Sequence, residues 1–263
     1  MKSPTGLLTL DCIEEPSTLQ DLVSSLTGQD DGVRLWRGQG DIAWPLDSTL
    51  VRRERSSEFG STETHVTWQE GRLLDRARHR QHDRLDGATL DDFELLARLR
   101  HHGAATRLVD FSRSAMVALW FAASDRPDST GALLGIHTDY LQGHEGVPTS
   151  GSYAAEIADM VVQASEGREN LRIWEPAVVS PRVAAQHSQF AYSLVVERPY
   201  GTLKLPTEQT SGVRLIALKP PLKRECLAFL RGVMDIGWQT LFPDLDGFGR
   251  AWGAHPPEDV DRW

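Results

Sequence analysis

The stretch ATRLVDFSRSAMVALWFAASD, residues 105–125, places a strand directly before a helix. Residues 105–112 read as a strand bounded by small and polar residues. From Met116 to Ala123 every side chain is apolar, the pattern of a helix buried all round. Ser114 stands at the junction, where a hydroxyl caps the helix that follows. Ser112 comes earlier and is free to point into a cleft.

Upstream, TLDDFELLARLRHHG (89–103) is the clearest helix. Thr89 with Asp92 makes a capping-box-like start, Phe93, Leu96, Ala97 and Leu99 form an apolar face, and Gly103 ends it. Further upstream, residues 66–86 are helical in character, with Arg72, Arg76, Arg80 and Arg84 recurring at spacing four on one face. That ridge suits phosphate or an acidic partner, or simply solvent. Residues 48–64 read as loop with at most one helical turn, and 33–36 as a strand. PSTLQDLVSSLTGQDDG (16–32) is a short amphipathic helix closed by a Gly/Asp turn. Downstream, GALLGIH (131–137), FAYSLVV (190–196) and VRLIALK (213–219) read as strands, and PPLKRECLAFLRGVM (220–234) as a helix opened by proline. The mixed stretch 138–180 carries a helical piece near 154–165 and is the place for an insertion. Strands and helices interleave irregularly, with no internal repeat and no linker, so the expected class is α+β in one domain.

With 263 residues, 40 % of them hydrophobic and 25 % charged, the chain can bury a sizeable core. Its net charge of −9 argues against broad binding to nucleic acid but leaves room for a local basic groove. Cys12 and Cys226 lie far apart and form neither a disulfide framework nor a zinc signature. The N-terminus lacks a signal-peptide pattern, and no apolar run approaches the roughly 20 residues a spanning helix needs, so a cytoplasmic location without membrane contact is expected. A metal is not expected: His79, His82 and Asp83 are interleaved with arginines, poor company for a divalent cation.

Four stretches set polar residues in apolar context: WRGQG (36–40), HHGAATRLVDFSRS (101–114), PRVAAQHSQF (181–190) and TLFPDLDG (240–247). In the first, a strand delivers Arg37 into a turn between Trp36 and Gly38, with Gln39 behind it. Glycines there let another molecule's phosphates or backbone approach, and the guanidinium offers a fork for a bidentate anion; taken alone, the stretch fits an ordinary surface arginine in a turn better. Arg107 and Asp110 flank Leu108 and Val109, and an unpaired buried charge is costly, so they are expected to pair with each other or with a ligand.

Taken in order, LWRGQGDIAWPLDSTLVR, RHHGAATRLVDFSRSAMVALWFA, PRVAAQHSQF and GWQTLFPDLDG resemble the FRG domain, from about residue 33 to 252. Residues 1–32 are then a helical lead-in and 253–263 a tail. The sequence departs from the family's common pattern at Trp36 (aromatic before the arginine), Arg100 (often glutamine), Ala105 (often proline), Phe111-Ser112 (often Trp-Thr) and His187-Ser188 (often Gln-Gly). No charged motif residue is lost. The motif order is in turn similar to that of ADP-ribosyltransferases of the arginine–serine–glutamate type.

That second resemblance implies a split, ADP-ribosyltransferase-like mixed sheet flanked by helices, with NAD as substrate and a macromolecular acceptor. It implies Arg37, Ser112, Gln186 and Asp110 as catalytic residues. It also implies a dinucleotide held by Trp36, Arg37, Gly38, Gln39, His101, His102, Thr106, Arg107 and Phe111. The family resemblance adds a setting, a bacterial toxin or anti-phage effector with an antitoxin as possible partner. Gln186 stands where a glutamate would be wanted, and an amide can neither act as base nor carry charge. Asp110 is the substitute carboxylate, or else the chain is a non-catalytic nucleotide- or protein-binding sensor.

Overall fold

The computed structural model describes residues 6–11, 13–27, 32–145, 152–208 and 212–253. Cys12 and the tail beyond Gly253 lie outside them. In chain order the elements are β1 (Ile13–Glu14), α1 (Leu19–Thr27), β2 (Val33–Gln39), α2 (Thr49–Glu54), α3 (Glu63–His79), β3 (Arg84–Leu85), β4 (Ala88–Thr89), α4 (Asp92–His101), β5 (Val109–Ser112), α5 (Ala115–Ser124), β6 (Gly131–His137), β7 (Gln142–Glu145), α6 (Tyr153–Ser165), β8 (Arg172–Glu175), α7 (Pro181–Ala185), β9 (Ser188–Tyr192), β10 (Val213–Leu218), α8 (Pro220–Gly232), α9 (Trp238–Leu241) and α10 (Leu245–Gly253).

The class is α+β. One eight-stranded sheet runs β1-β10-β6-β2-β5-β9-β8-β7. Neighbours are antiparallel except at the edges, where β1 joins β10 and β7 joins β8 in parallel. The two halves meet at β2 and β5, registered at a single residue pair, Trp36 with Ser112. Away from that pair the halves part.

Alternation along the strands sorts side chains to two faces. Leu35, Leu134, Val109 and Leu215 share one core that spans both halves of the sheet and is closed by Leu46, Tyr200 and Leu203 from irregular segments. Trp36, Leu133 and Ile216 face the other way, into a core shared with α5 and α8. On that same face of the second half, Trp174, Phe190 and Tyr192 pack with Leu74 of α3, Phe93 and Leu96 of α4 and Ile157 of α6. One face therefore carries two separate cores, one per half. Among the described residues no helix is long and apolar enough to cross a membrane.

Several boundaries differ from the sequence reading for local reasons. The strand expected over 105–112 begins only at Val109, because the Arg107 backbone N–H donates to Glu70 Oε1 at 2.6 Å instead of to a neighbouring strand. The strand expected over 190–196 ends at Tyr192, and the Val195 N–H goes to Glu63 Oε2 at 2.7 Å. Both carboxylates belong to α3. That helix starts at Glu63, capped by Thr62, and stops at His79, with Gln81 in the left-handed region at φ 59°. Arg80 is therefore a cap and Arg84 lies on β3, so the ridge of four arginines is not one helix face. Asp86 and Gly87, at φ 49° and 85°, turn β3 into β4 as a two-residue hairpin. The expected loop at 48–64 holds the six-residue α2, capped by Ser48. The capping box of α4 is Asp91 with Glu94, not Thr89 with Asp92.

Candidate functional site

A cavity of about 490 Å³ opens where the sheet parts, between the two cores. Its walls come from Trp36, Arg37 and Gly38 on β2, from the α4 end (Arg100, His101), from Asp110 to Ser112 on β5, and from Ala118 and Phe121 of α5. Arg182, Gln186 and Ser188 close a third side, and Phe242, Asp246, Gly247 and Arg250 a fourth. All four polar stretches singled out in the sequence thus meet at one place.

Arg37 is half-buried and spans the gap between the halves: its Nη1 donates to the Asp110 carbonyl at 2.7 Å, and its Nε to Gln39 Oε1 at 3.4 Å. Neither partner is charged. Burial lowers the pKa of its guanidinium to about 10, against the pull of Asp110 and with Arg100 and Arg52 adding to the drop; at neutral pH it is still a cation. Gly38 is fixed by packing rather than by ligand approach, since a Cβ there would lie 1.9 Å from the Ala118 carbonyl oxygen of α5. Gln39 is buried behind the wall, bridging Arg37 to the Trp44 carbonyl.

The expected Arg107–Asp110 pair does not form. Arg107 lies before β5, where Glu70 of α3 takes both its backbone N–H and its Nε and draws it away from Asp110. Asp110 takes Arg100 instead, at 2.6 Å. Burial would raise the Asp110 carboxyl, but Arg100, then Arg37, outweigh it and hold it below its usual range. Arg107 turns away from the cavity and lies among Glu70, Glu63 and Thr67 at 2.7, 2.9 and 3.0 Å. Tyr153 donates to the same Glu70, and the Arg107 guanidinium lies over its ring. Thr106 is fully buried and contributes nothing to the cavity wall. Thr106, Arg107 and Gln39 are therefore framework residues, not part of the lining.

Ser114 caps α5 as expected. Ser112 accepts from the Ser114 N–H at 3.0 Å and donates to the Gln186 carbonyl at 2.7 Å. It positions Gln186 through the main chain. Gln186 itself ends α7, ahead of β9; its Nε2 donates to the Leu241 carbonyl at 2.9 Å, which leaves the amide oxygen as the acceptor end. Arg182 ties α7 to the segment before α10, forking onto Asp244 and reaching Asp246 at 3.3 Å.

His101 sits in the wall with Nδ1 2.9 Å from Ser180 Oγ and a buried Nε2 that has no partner. Burial, with Arg100 and Arg182 nearby and Asp110 opposing, keeps its pKa below the ordinary histidine value, so the ring is neutral. His102 is exposed at the rim. Trp36 and Phe111 both border the cavity, but each is almost wholly buried, Trp36 in the core shared with α5 and Phe111 in the core on the opposite face of the sheet. Phe111 therefore does not present its ring for stacking. The sequence reading passed over Arg250 and Phe121. Phe121 hides in an all-apolar helix; the sequence signal for Arg250 is a lone charge within the Gly-flanked aromatic run FGRAWG.

Four arginines against two aspartates line the cavity, a balance suited to an anionic ligand. Comparison with family models matches residues 33–131 to the FRG domain. That span holds the first two of the four stretches; the walls from α7 and α10 come from outside it. No curated protein and no solved structure matches the chain.

Proposed function

We propose that the cavity takes a pyrophosphate-bearing dinucleotide of the NAD type, and that the chain transfers its ADP-ribosyl group to a macromolecular acceptor. The observation that carries this reading is Arg37. It is a half-buried cation whose protein partners are neutral oxygens, placed where the sheet opens and beside aromatic walls. A bidentate phosphate contact would complete its hydrogen bonding.

The remaining residues fit distinct tasks. The partly exposed Phe121, with the largely buried Trp36 behind the wall, supplies apolar aromatic surface for a flat heterocycle. The Gln186 amide oxygen, anchored from behind by Leu241 and Ser112, accepts a ribose hydroxyl. Asp110 is too acidic for a good general base, so its part is electrostatic, supporting positive charge at the sugar carbon. In the transfer the glycosidic C–N bond breaks and its electron pair leaves with nicotinamide. The acceptor's lone pair closes on the sugar carbon, and its proton passes to solvent. The setting implied by the family resemblance, a cytoplasmic toxin or anti-phage effector restrained by an antitoxin, is part of the same proposal.

Nicotinamide release from NAD, followed with protein and nucleic-acid acceptors, tests it. Gln186→Ala should lower turnover on the order of 10²-fold by misplacing the sugar. Gln186→Glu exchanges the Leu241 anchor for a negative charge and should retain turnover. Tight ADP-ribose binding by the wild type with no release under any acceptor would overturn the catalytic reading in favour of a sensor.

A further inference from the structure

The outer face of α3 carries a second feature, independent of the cavity. Its inner face buries Val66, Glu70, Leu74 and Ala77. On the opposite side Trp68, Arg72 and Arg76 follow one another at helical spacing, with Arg80 at the cap, and all four are exposed. None of the three arginines forms an ion pair among the described residues. They succeed one another about 6 Å apart along the axis.

Beside them stands a built aromatic stack. Phe59 lies on His65 at 5.3 Å and 26°, His65 on Trp68 at 5.7 Å and 30°, and the Arg72 guanidinium covers Trp68 at 4.5 Å. The central ring is not free to wander: His65 Nε2 is 2.8 Å from Oε2 of the buried Glu54. Phe59 and Trp68 are nonetheless 65 % and 51 % exposed.

We propose that this face binds single-stranded nucleic acid, with the arginines on successive phosphates and bases stacked on the aromatic ladder. An acidic protein would be served by the arginines alone and would leave without use the Phe59 end of the stack and the half-exposed Trp68 ring beneath Arg72. Bases supply π-faces and phosphates together. The chain as a whole carries −9, and Asp75 and Glu58 flank the stripe, so attraction is local and contact must be short. This inference stands whether or not the cavity turns over NAD.

Fluorescence anisotropy of the whole chain with labelled twelve-nucleotide oligouridylate and oligothymidylate, between about 50 and 200 mM salt, provides the test. Three phosphate contacts predict a log–log salt slope of about −2, falling by about 0.7 in Arg76→Gln. Trp68→Ala should weaken binding roughly tenfold or more. Both residues are exposed, so the melting temperature should hold; if Trp68→Ala unfolds, Phe59→Ala carries the same expectation. Tighter binding of the uridylate narrows the ligand to RNA, and equal binding supports the shared phosphate-and-base chemistry. Absence of binding, affinity indifferent to these variants, or equal competition by polyglutamate would overturn the proposal.

Discussion

Arg107 and Arg37 flank the same sheet, one before β5 and the other on β2, yet their surroundings differ in kind. Arg107 is 3 % exposed, with two carboxylates, a threonine and a tyrosine ring around it. Glu63 has its pKa pushed up by burial but is held below the ordinary range by Arg107 and the Val195 N–H. Charge and hydrogen bonding are nearly closed within the protein, which is what burying a cation requires. Arg37 sits on a cavity wall with a carbonyl and an amide oxygen for company. The first arginine is spent on architecture, holding α3 against the ends of β5 and β9. The second keeps its capacity to bind an anion.

The sharpest way to break this contrast is at Glu70. Glu70→Ala leaves the buried guanidinium with Glu63 as its one carboxylate, beside Thr67, and removes the acceptor of the Arg107 N–H and of Tyr153. Losing one member of a buried pair costs about 3–5 kcal/mol, and urea unfolding should show a loss of that size. A loss near zero would mean that Arg107 is no more structural than Arg37.

Arg37→Lys tests the other side. Lysine keeps the charge but cannot reproduce the fork. Charge-assisted hydrogen bonds of about 1.5–3 kcal/mol should disappear from ADP-ribose binding, a drop of about 10–150-fold by calorimetric titration, with little change in melting temperature. Unchanged affinity together with reduced stability would make Arg37 a strut across the gap and nothing more.

The same contrast explains how much was legible in the sequence. The buried strand β6 and the helix α5 are nearly continuous apolar runs, β10 is apolar but for Arg214, and burial on both faces leaves them little alternative. The four polar stretches were visible because charged residues in apolar surroundings demand a reason, and they do meet at one cavity. The partners were not visible. Glu63 and Glu70 lie on a helix more than 30 residues before Arg107, and a carboxylate on a helix reads as solvated until the fold turns it inward. Those two carboxylates also capture the N–H groups of Arg107 and Val195, so a misread pairing and two misread strand ends have a single cause. Gly38 shows the same limit in reverse. Its freedom suggested an approaching ligand, whereas the approaching group is the backbone of α5.

The smallest effect expected concerns Asp110, which belongs to the cavity but is paired like a framework residue. Burial works to raise its carboxyl, and Arg100 and Arg37 together lower it beneath the ordinary 3.8. A carboxylate whose folded pKa lies below its unfolded one binds its proton first in the unfolded chain. Its contribution to stability is therefore complete above about pH 4 and is lost as the pH falls through the folded value. His101 acts in a different window. Burial depresses its pKa below 6.5, so the unfolded chain takes up the proton first and stability declines as the pH falls from 6.5 toward the folded value. Asp110→Asn should remove the first loss and deepen the second, because Asp110 is the group that favours protonated His101. The Asp110 side chain is 38 % exposed, so solvent screening limits its own share to about 1 kcal/mol or less. Melting temperatures of wild type and variant between pH 3 and 7 give the difference curve. Parallel curves would mean that Asp110 has no net electrostatic coupling to Arg100, Arg37 and His101, and its proposed support of positive charge in the cavity would fall with it.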